Sequence, residues 1–264
     1  EKMNTLWKNM TNEMKMDNRN STDIEKKIDD FASKDEKKAG VLYGIGVGPG
    51  DPELMTVKAV RILKKADSIV AARVMGKQET ALEIAKQAVG LDDKEILSLP
   101  FSMSGKRKAE KKEHENSIRQ IEALLETGKN VAMPVLGDVS VYATWQYLAE
   151  EIQADGYQTV MIPGVTSFCA AAAAANTGLT QRDLPLHIVP ASYGNLEKQM
   201  QPEGNYVLMK AGKCMDEIHR VLETKPGVRE VFSIKNCGLP GEVVKDGLLE
   251  NEAYGYFTTV IVKE

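Results

Sequence analysis

Tyr43-Gly44-Ile45-Gly46-Val47-Gly48-Pro49-Gly50-Asp51-Pro52 follows the short apolar run Val41-Leu42 and leads into an amphipathic segment. Glycines alternate through it at positions 44, 46, 48 and 50, leaving a backbone with almost no side chains to keep a ligand away. Asp51 is suited to cap a helix, and Pro52 to occupy its first position. The stretch reads as a strand, a bare loop and a helix start. It is not a dinucleotide fingerprint, in which G-x-G-x-x-G runs straight into a helix. Here Pro49 and Asp51-Pro52 intervene, and the capping carboxylate takes the place an anionic pyrophosphate would use. By itself such a loop is more often a tight turn than a ligand site, so the rest of the chain has to decide.

Downstream the pattern alternates between helix and strand. The segment after the loop places Met55, Ala59, Ile62, Leu63 and Ala66 on one helical face. Ser68–Val74 reads as a buried strand and Thr80–Ala88 as a helix ending near Gly90. Lys106–Thr127 reads as a long charged helix stopped by Gly128. Val131–Leu136 is a strand, Tyr142–Ala154 a helix, and Val160–Ile162 the start of another strand before Pro163-Gly164. Ser167–Asn176 contains an alanine run that favours helix and allows close packing or close approach of a flat ligand. After Pro185, strand-like runs at His187–Pro190, Tyr206–Met209, Glu230–Ile234 and Tyr256–Val262 surround one helix, Met215–Leu222.

This order predicts an α/β protein with a mostly parallel first sheet, a mixed second sheet and a cleft between two domains. The expected division is a polar extension at 1–39, an N-terminal domain at 40–157 and a C-terminal domain at 158–264. The extension is dense in Lys, Asn, Met, Asp and Glu.

Composition narrows the function. The 264-residue chain has a net charge of −4, so no global basic field recruits nucleic acid or an anionic membrane. No apolar run approaches the roughly 20 residues of a membrane span, and no signal peptide is visible. Cys169, Cys214 and Cys237 lack C-x-x-C spacing, which fits a reducing cytoplasm better than a disulfide framework. His114, His187 and His219 are scattered, so no protein-built metal site is expected, and His187 reads as a packed histidine.

Three glycine-bearing loops follow predicted strands: Gly44–Asp51, Leu136-Gly137-Asp138 and Pro163-Gly164-Val165-Thr166-Ser167. In a parallel sheet such loops gather at the edge where ligands bind. Together they offer backbone groups, two hydroxyls and one carboxylate. Ser140 and Ser167 lack the G-x-S-x-G frame of a nucleophile, and no lysine follows a glycine run as in a P-loop.

These motifs, with Ala66-Asp67, Tyr142 and Ile162 at fitting intervals, resemble the tetrapyrrole methylases over residues 41–264. The resemblance implies two α/β domains that bind S-adenosylmethionine in the cleft between them. It also implies that Pro49 lines the cofactor cleft and that Leu136, Gly137, Asp138 and Val141 cradle the methionine and ribose parts. Thr166 and Ser167 are then expected to contact the cofactor, and Met209 and Gly247 to flank the adenine, with Thr258 or Thr259 nearby. Within the family, Gly137–Trp145, Val207–Gly212 and Gly255–Lys263 are most similar to the branch that methylates precorrin-2, or its cobalt form, at C-20. Val139 stands where relatives often carry proline. Ala71-Ala72-Arg73 stands where uroporphyrinogen methylases carry an aspartate proposed as a base, which argues against their reaction.

No dedicated catalytic base is evident in the sequence. The implied substrate is an electron-rich tetrapyrrole with many carboxylates, any cobalt arriving inside it. Arg73 and Arg182 are the expected carboxylate-binding residues, ahead of the cluster Lys106, Arg107 and Lys108, and Arg73 is expected to use paired N–H bonds. Relatives also imply a homodimer. Other acceptors on this scaffold, another precorrin, diphthine or ribosomal RNA, and a non-catalytic module holding a nucleotide-like ligand are the competing readings. The acidic balance disfavours RNA.

Overall fold

The computed structural model describes residues 39–73, 79–100, 107–250 and 255–264, with the side chains of 107–111 and 113 outside the description. The expected extension, apart from residue 39, and Lys106, with the side chains of Arg107 and Lys108, lie outside the described residues. Residues 39–264 fall in one compact unit.

The opening strand forms as read: β1 spans Val41–Gly46. Asp51 caps a 3-10 turn at Pro52–Leu54, its side chain accepting from the Glu53 N–H. The chain then breaks once, because Thr56 supplies a second cap for α1, Val57–Lys65. The single helix expected from the periodicity is therefore two pieces. Met55, Ala59, Leu63 and Ala66 are nonetheless all buried.

β2 (Ser68–Arg73), α2 (Thr80–Val89), β3 (Glu95–Pro100), α3 (Arg107–Glu126), β4 (Val131–Val135), α4 (Trp145–Ala154) and β5 (Gln158–Ile162) complete the first half. The sheet order is β3-β2-β4-β1-β5, and every pairing is parallel. Side chains alternate between its faces. Leu42, Val131 and Met133 pack with Ile121 and Leu125 of α3 and with Trp145 of α4. Ile45, Ile69 and Ala132 pack with Leu63 of α1 and Ile84 of α2 on the opposite face. Full burial of one such aliphatic side chain stabilises the fold by about 1.5–3 kcal/mol.

α5 (Ser167–Ala174) leads to the second sheet, made of β6 (Leu186–Pro190), β7 (Asn205–Met209), β8 (Glu230–Lys235), β9 (Val243–Asp246) and β10 (Thr258–Lys263). Its order is β6-β7-β10-β8-β9. β6 and β7 are parallel and the other pairs antiparallel, so this sheet is mixed. α6 (Leu196–Gln199) and α7 (Met215–Thr224) cover one face through Leu196, Met215 and Ile218. On the other face Ala171 and Ala172 of α5 pack on Ile234 and Ile261. The alanine run thus serves close packing against a sheet.

The first sheet runs past the expected boundary at 157/158. β5 is hydrogen-bonded to β1 along its length, so the first sheet extends to Ile162. His187 is packed as expected, its ring stacked on Tyr206 with centroids 4.8 Å apart. No helix of the described residues is long and apolar enough to cross a membrane.

Candidate active site

The order of the first sheet creates the site. From β1 the chain crosses to β2 on one side, and from β4 it returns past β1 to β5 on the other. The bends leaving β1, β4 and β5 therefore meet at the carboxyl edge, where a crevice opens at such a reversal.

They meet through backbone. Gly48 and Gly137 exchange hydrogen bonds of 3.2 and 2.7 Å, and the Val47 N–H donates to Val135 O at 3.0 Å. A Cβ on Gly164 would lie 2.3 Å from Gly137 O and 2.7 Å from the Gly46 carbonyl carbon, so only glycine permits the approach. A Cβ on Gly50 would lie 2.5 Å from Gly238, in the loop after β8. Of the alternating glycines, Gly46 and Gly50 are thus required by backbone crowding, Gly44 by the Trp145 ring 2.6 Å from where its Cβ would stand, and Gly48 by its φ of 78°.

Asp138 ties two of these bends together. Its Oδ1 accepts from the Ser140 N–H at 2.8 Å and from the Ser140 hydroxyl at 2.5 Å. Its Oδ2 accepts from the Gly164 N–H at 2.8 Å. Partial burial acts to raise the carboxyl pKa, but the hydroxyl and the two N–H donors outweigh it and hold the group below the usual aspartate value. Asp138 is therefore a fixed anion engaged by the loops.

Behind these bends lies a cavity of about 280 Å³, near the lower end of small-molecule sites at roughly 300 Å³. Pro49, Leu136, Gly137, Asp138, Val141, Thr166, Ser167 and Met209 all line it. Thr258 and Thr259 are there as well, because β10 starts beside the ends of β7 and β8. Ala71, Ala72, Met133, Trp145 and Phe257 supply much of the apolar wall. Thr166 Oγ1 is buried without a hydrogen-bond partner. A buried hydroxyl left unpaired is costly, which makes it a ready contact for a polar ligand.

Three expected residues are elsewhere. Gly247 is outside the lining, and its N–H donates to Val231 O at 2.7 Å. Arg73 is exposed at the end of β2, one residue beyond Ala72, and is not part of the wall. Arg182 is exposed in the turn after α5, with φ of 52°, and is also outside it. Sequence reasoning missed Glu79, Lys210 and Tyr256, all of which line the cavity. Lys210 had a legible signal: it directly follows a strand end at the edge where ligands gather. Glu79 and Tyr256 had no comparable signal.

The chain belongs to the tetrapyrrole (corrin/porphyrin) methylases, whose family profile matches residues 41–252. It is similar to the probable cobalt-precorrin-2 C(20)-methyltransferase of Methanocaldococcus jannaschii, with 33% identity over 227 residues, 84% of this chain and 95% of that protein. The cobalt-precorrin-2 C(20)-methyltransferase of Salmonella typhimurium is 31% identical over 232 residues, 85% of this chain and 97% of that protein. The solved structure of a cobalamin biosynthetic enzyme, cobalt precorrin-4 methyltransferase, superposes with a TM-score of 0.66 at 23% identity, over 84% of this chain and 94% of the other. Uroporphyrin-III C-methyl transferase from Thermus thermophilus, complexed with S-adenyl homocysteine, gives a TM-score of 0.63 at 22% identity, over 85% and 98%. The two solved structures share the fold.

Proposed function

We propose that this protein methylates C-20 of precorrin-2 or cobalt-precorrin-2 with S-adenosylmethionine as donor. The observation that carries the reading is the single cavity on which the bends after β1, β4 and β5 converge. The C-20 position rests on the likeness to the two relatives so named.

S-adenosylmethionine, when bound, supplies an electrophilic methyl group on a sulfonium sulfur. The residues present fit such a donor: bare glycine backbone, an unpartnered Thr166 hydroxyl and apolar walls. Pro49, Leu136, Gly137 and Val141 hold its amino-acid and ribose parts, Thr166 and Ser167 contribute hydroxyls, and Met209 lies against its adenine. Asp138 keeps two of the bends in register and so fixes the donor's orientation, the alignment that makes the transfer effectively unimolecular. Glu79, the other carboxylate of the wall, takes the proton that C-20 loses. Glu79→Gln then lowers turnover while leaving S-adenosylhomocysteine affinity unchanged. Arg73 and Arg182 serve as outer cations for substrate carboxylates. A homodimer in the cytoplasm, with the two sheets as separate domains, completes the proposal.

The test is incubation with S-adenosylmethionine and either metal-free or cobalt-loaded dimethylated tetrapyrrole, followed by mass spectrometry and NMR of the product. One added methyl at C-20 is expected. Methylation at another carbon overturns the positional assignment, and cofactor binding without transfer to any tetrapyrrole overturns the enzymatic one.

A further inference from the structure

Lys210 is the one basic side chain among the described residues that line the cavity. It directly follows β7 and adopts the left-handed conformation, with φ of 56° and ψ of 34°. Its carbonyl accepts from the Ser192 hydroxyl at 2.6 Å, which fixes the backbone there. Its Nζ lies 5.7 Å from the ring centre of Tyr142 and 5.6 Å from that of Tyr193. Both are within the roughly 6 Å over which an aromatic face attracts a cation.

Tyr142 reaches this point from the loop after β4, and it too is left-handed, with φ of 47°. Its hydroxyl donates to Ile188 O in β6 at 3.3 Å. Strained non-glycine backbone persists only where the surroundings fix it, and it clusters at ligand clamps. Here two such residues, from different halves of the chain, present a ring and an ammonium to each other at one cavity. Tyr142, Tyr193 and Tyr256 remain 48%, 55% and 40% exposed, so flat aromatic surface is left uncovered beside the cation.

We propose that Lys210, framed by Tyr142 and Tyr193, is a specificity-determining residue that binds a peripheral carboxylate of the tetrapyrrole while the tyrosines face the macrocycle. The inference rests on the methyltransferase reading of the cavity and assigns the acceptor's side of it. The donor's sulfonium is repelled by a neighbouring ammonium, and its lone α-carboxylate is the competing anion that the S-adenosylhomocysteine arm of the test separates from the tetrapyrrole. A flat conjugated ring with carboxylates around its edge matches both the aromatic surface and the cation, and an ammonium–carboxylate bond is charge-assisted. Arg73 and Arg182, outside the wall, then act only at the periphery.

The test uses the full chain with Lys210→Asn and Lys210→Asp, since both replacements tolerate left-handed backbone, and with Lys210→Arg as the charge-conserving control. Binding of the dimethylated tetrapyrrole is followed by fluorescence quenching and binding of S-adenosylhomocysteine by calorimetry, with thermal melts to confirm folding. Lys210→Asn weakens tetrapyrrole binding about tenfold or more, as loss of a charged hydrogen bond requires. Lys210→Asp weakens it further, Lys210→Arg recovers most of it, and S-adenosylhomocysteine affinity stays within about twofold throughout. Tetrapyrrole affinity unchanged in both neutral and acidic variants, or a loss confined to S-adenosylhomocysteine, overturns the role of Lys210 alone. Wild-type protein that binds S-adenosylhomocysteine but no tetrapyrrole overturns the reading beneath it.

Discussion

Asp138 Oδ2 accepts the backbone N–H of Gly164 at 2.8 Å, joining the bend after β4 to the bend after β5. With Ser140 occupying the other oxygen, a single carboxylate fixes two walls of the cavity. Asp138→Ala leaves the Gly164 N–H without its acceptor and frees both loops. The expected cost in denaturant-induced unfolding is about 1–3 kcal/mol, together with weaker S-adenosylhomocysteine binding by calorimetry. Asp138→Asn keeps an acceptor oxygen and lies between the variant and the parent. Unchanged ligand affinity in Asp138→Ala means that the bond does not shape the site.

The same carboxylate gives a pH dependence. Its folded pKa lies below the ordinary value, so its contribution to stability is present above the unfolded pKa of about 3.9 and is lost as pH falls through the folded one. The difference in stability between wild type and Asp138→Asn therefore shrinks below about pH 4. A difference that is constant from pH 7 to pH 3 contradicts the bonding pattern.

Gly164 and Gly178 separate crowding from flexibility. A methyl group on Gly164 meets Gly137 O at 2.3 Å, whereas on Gly178 the nearest neighbour is Thr180 O at 3.8 Å. Gly164→Ala forces backbone apart at the junction of the bends and is expected to cost about 1–3 kcal/mol and to abolish tight ligand binding. Gly178→Ala is expected to change neither by a measurable amount. Equal thermal shifts for the two variants rule out the crowding explanation.

Much of this was legible before the structure. The glycine spacing at 44–50, the Asp51-Pro52 cap and the three post-strand loops placed the cavity at the carboxyl edge of a parallel sheet. What escaped has physical reasons. α4 begins at Trp145 and not at the expected Tyr142, because Tyr142 has φ of 47°, which no helix accommodates. β3 and β9 were missed because they bury little: β3 buries only Leu99 fully and β9 none of its residues. Lys210 escaped notice as a cation of the wall, from which Arg73 and Arg182 are absent, because sequence order does not show which strand ends face each other. Only the pairing of β10 between β7 and β8 brings Lys210 to the same edge as Thr258.

Glu122 behaves oppositely to Asp138. Burial comes first in raising its pKa, followed by a bond to Asp155 and the charges of Asp155 and Glu126, with Arg119 opposing. A raised folded pKa contributes stability that is fully present below the unfolded value and is lost as pH rises through the folded one. Glu122→Gln removes that loss, so its Tm is expected to exceed wild type at pH 7 and to match it near pH 3–4, at or below the unfolded glutamate value of about 4.3. A lower Tm at pH 7 means that the ionised carboxylate is stabilised by its neighbours.

Cys237 lines the cavity, yet burial pushes its thiol up to about 11, with the Glu242 carboxylate adding to the shift. Cys169 is exposed. Alkylation requires the thiolate, so its raised pKa disfavours Cys237, whereas Cys169 is open to the reagent. Iodoacetamide at pH 7.5, with peptide mass spectrometry over time, is expected to label Cys169 well before Cys237. Bound S-adenosylhomocysteine slows any residual labelling of Cys237, because the ligand covers the wall that holds it, and leaves Cys169 unaffected. Rapid labelling of Cys237 that the ligand does not slow places its sulfur outside the cavity.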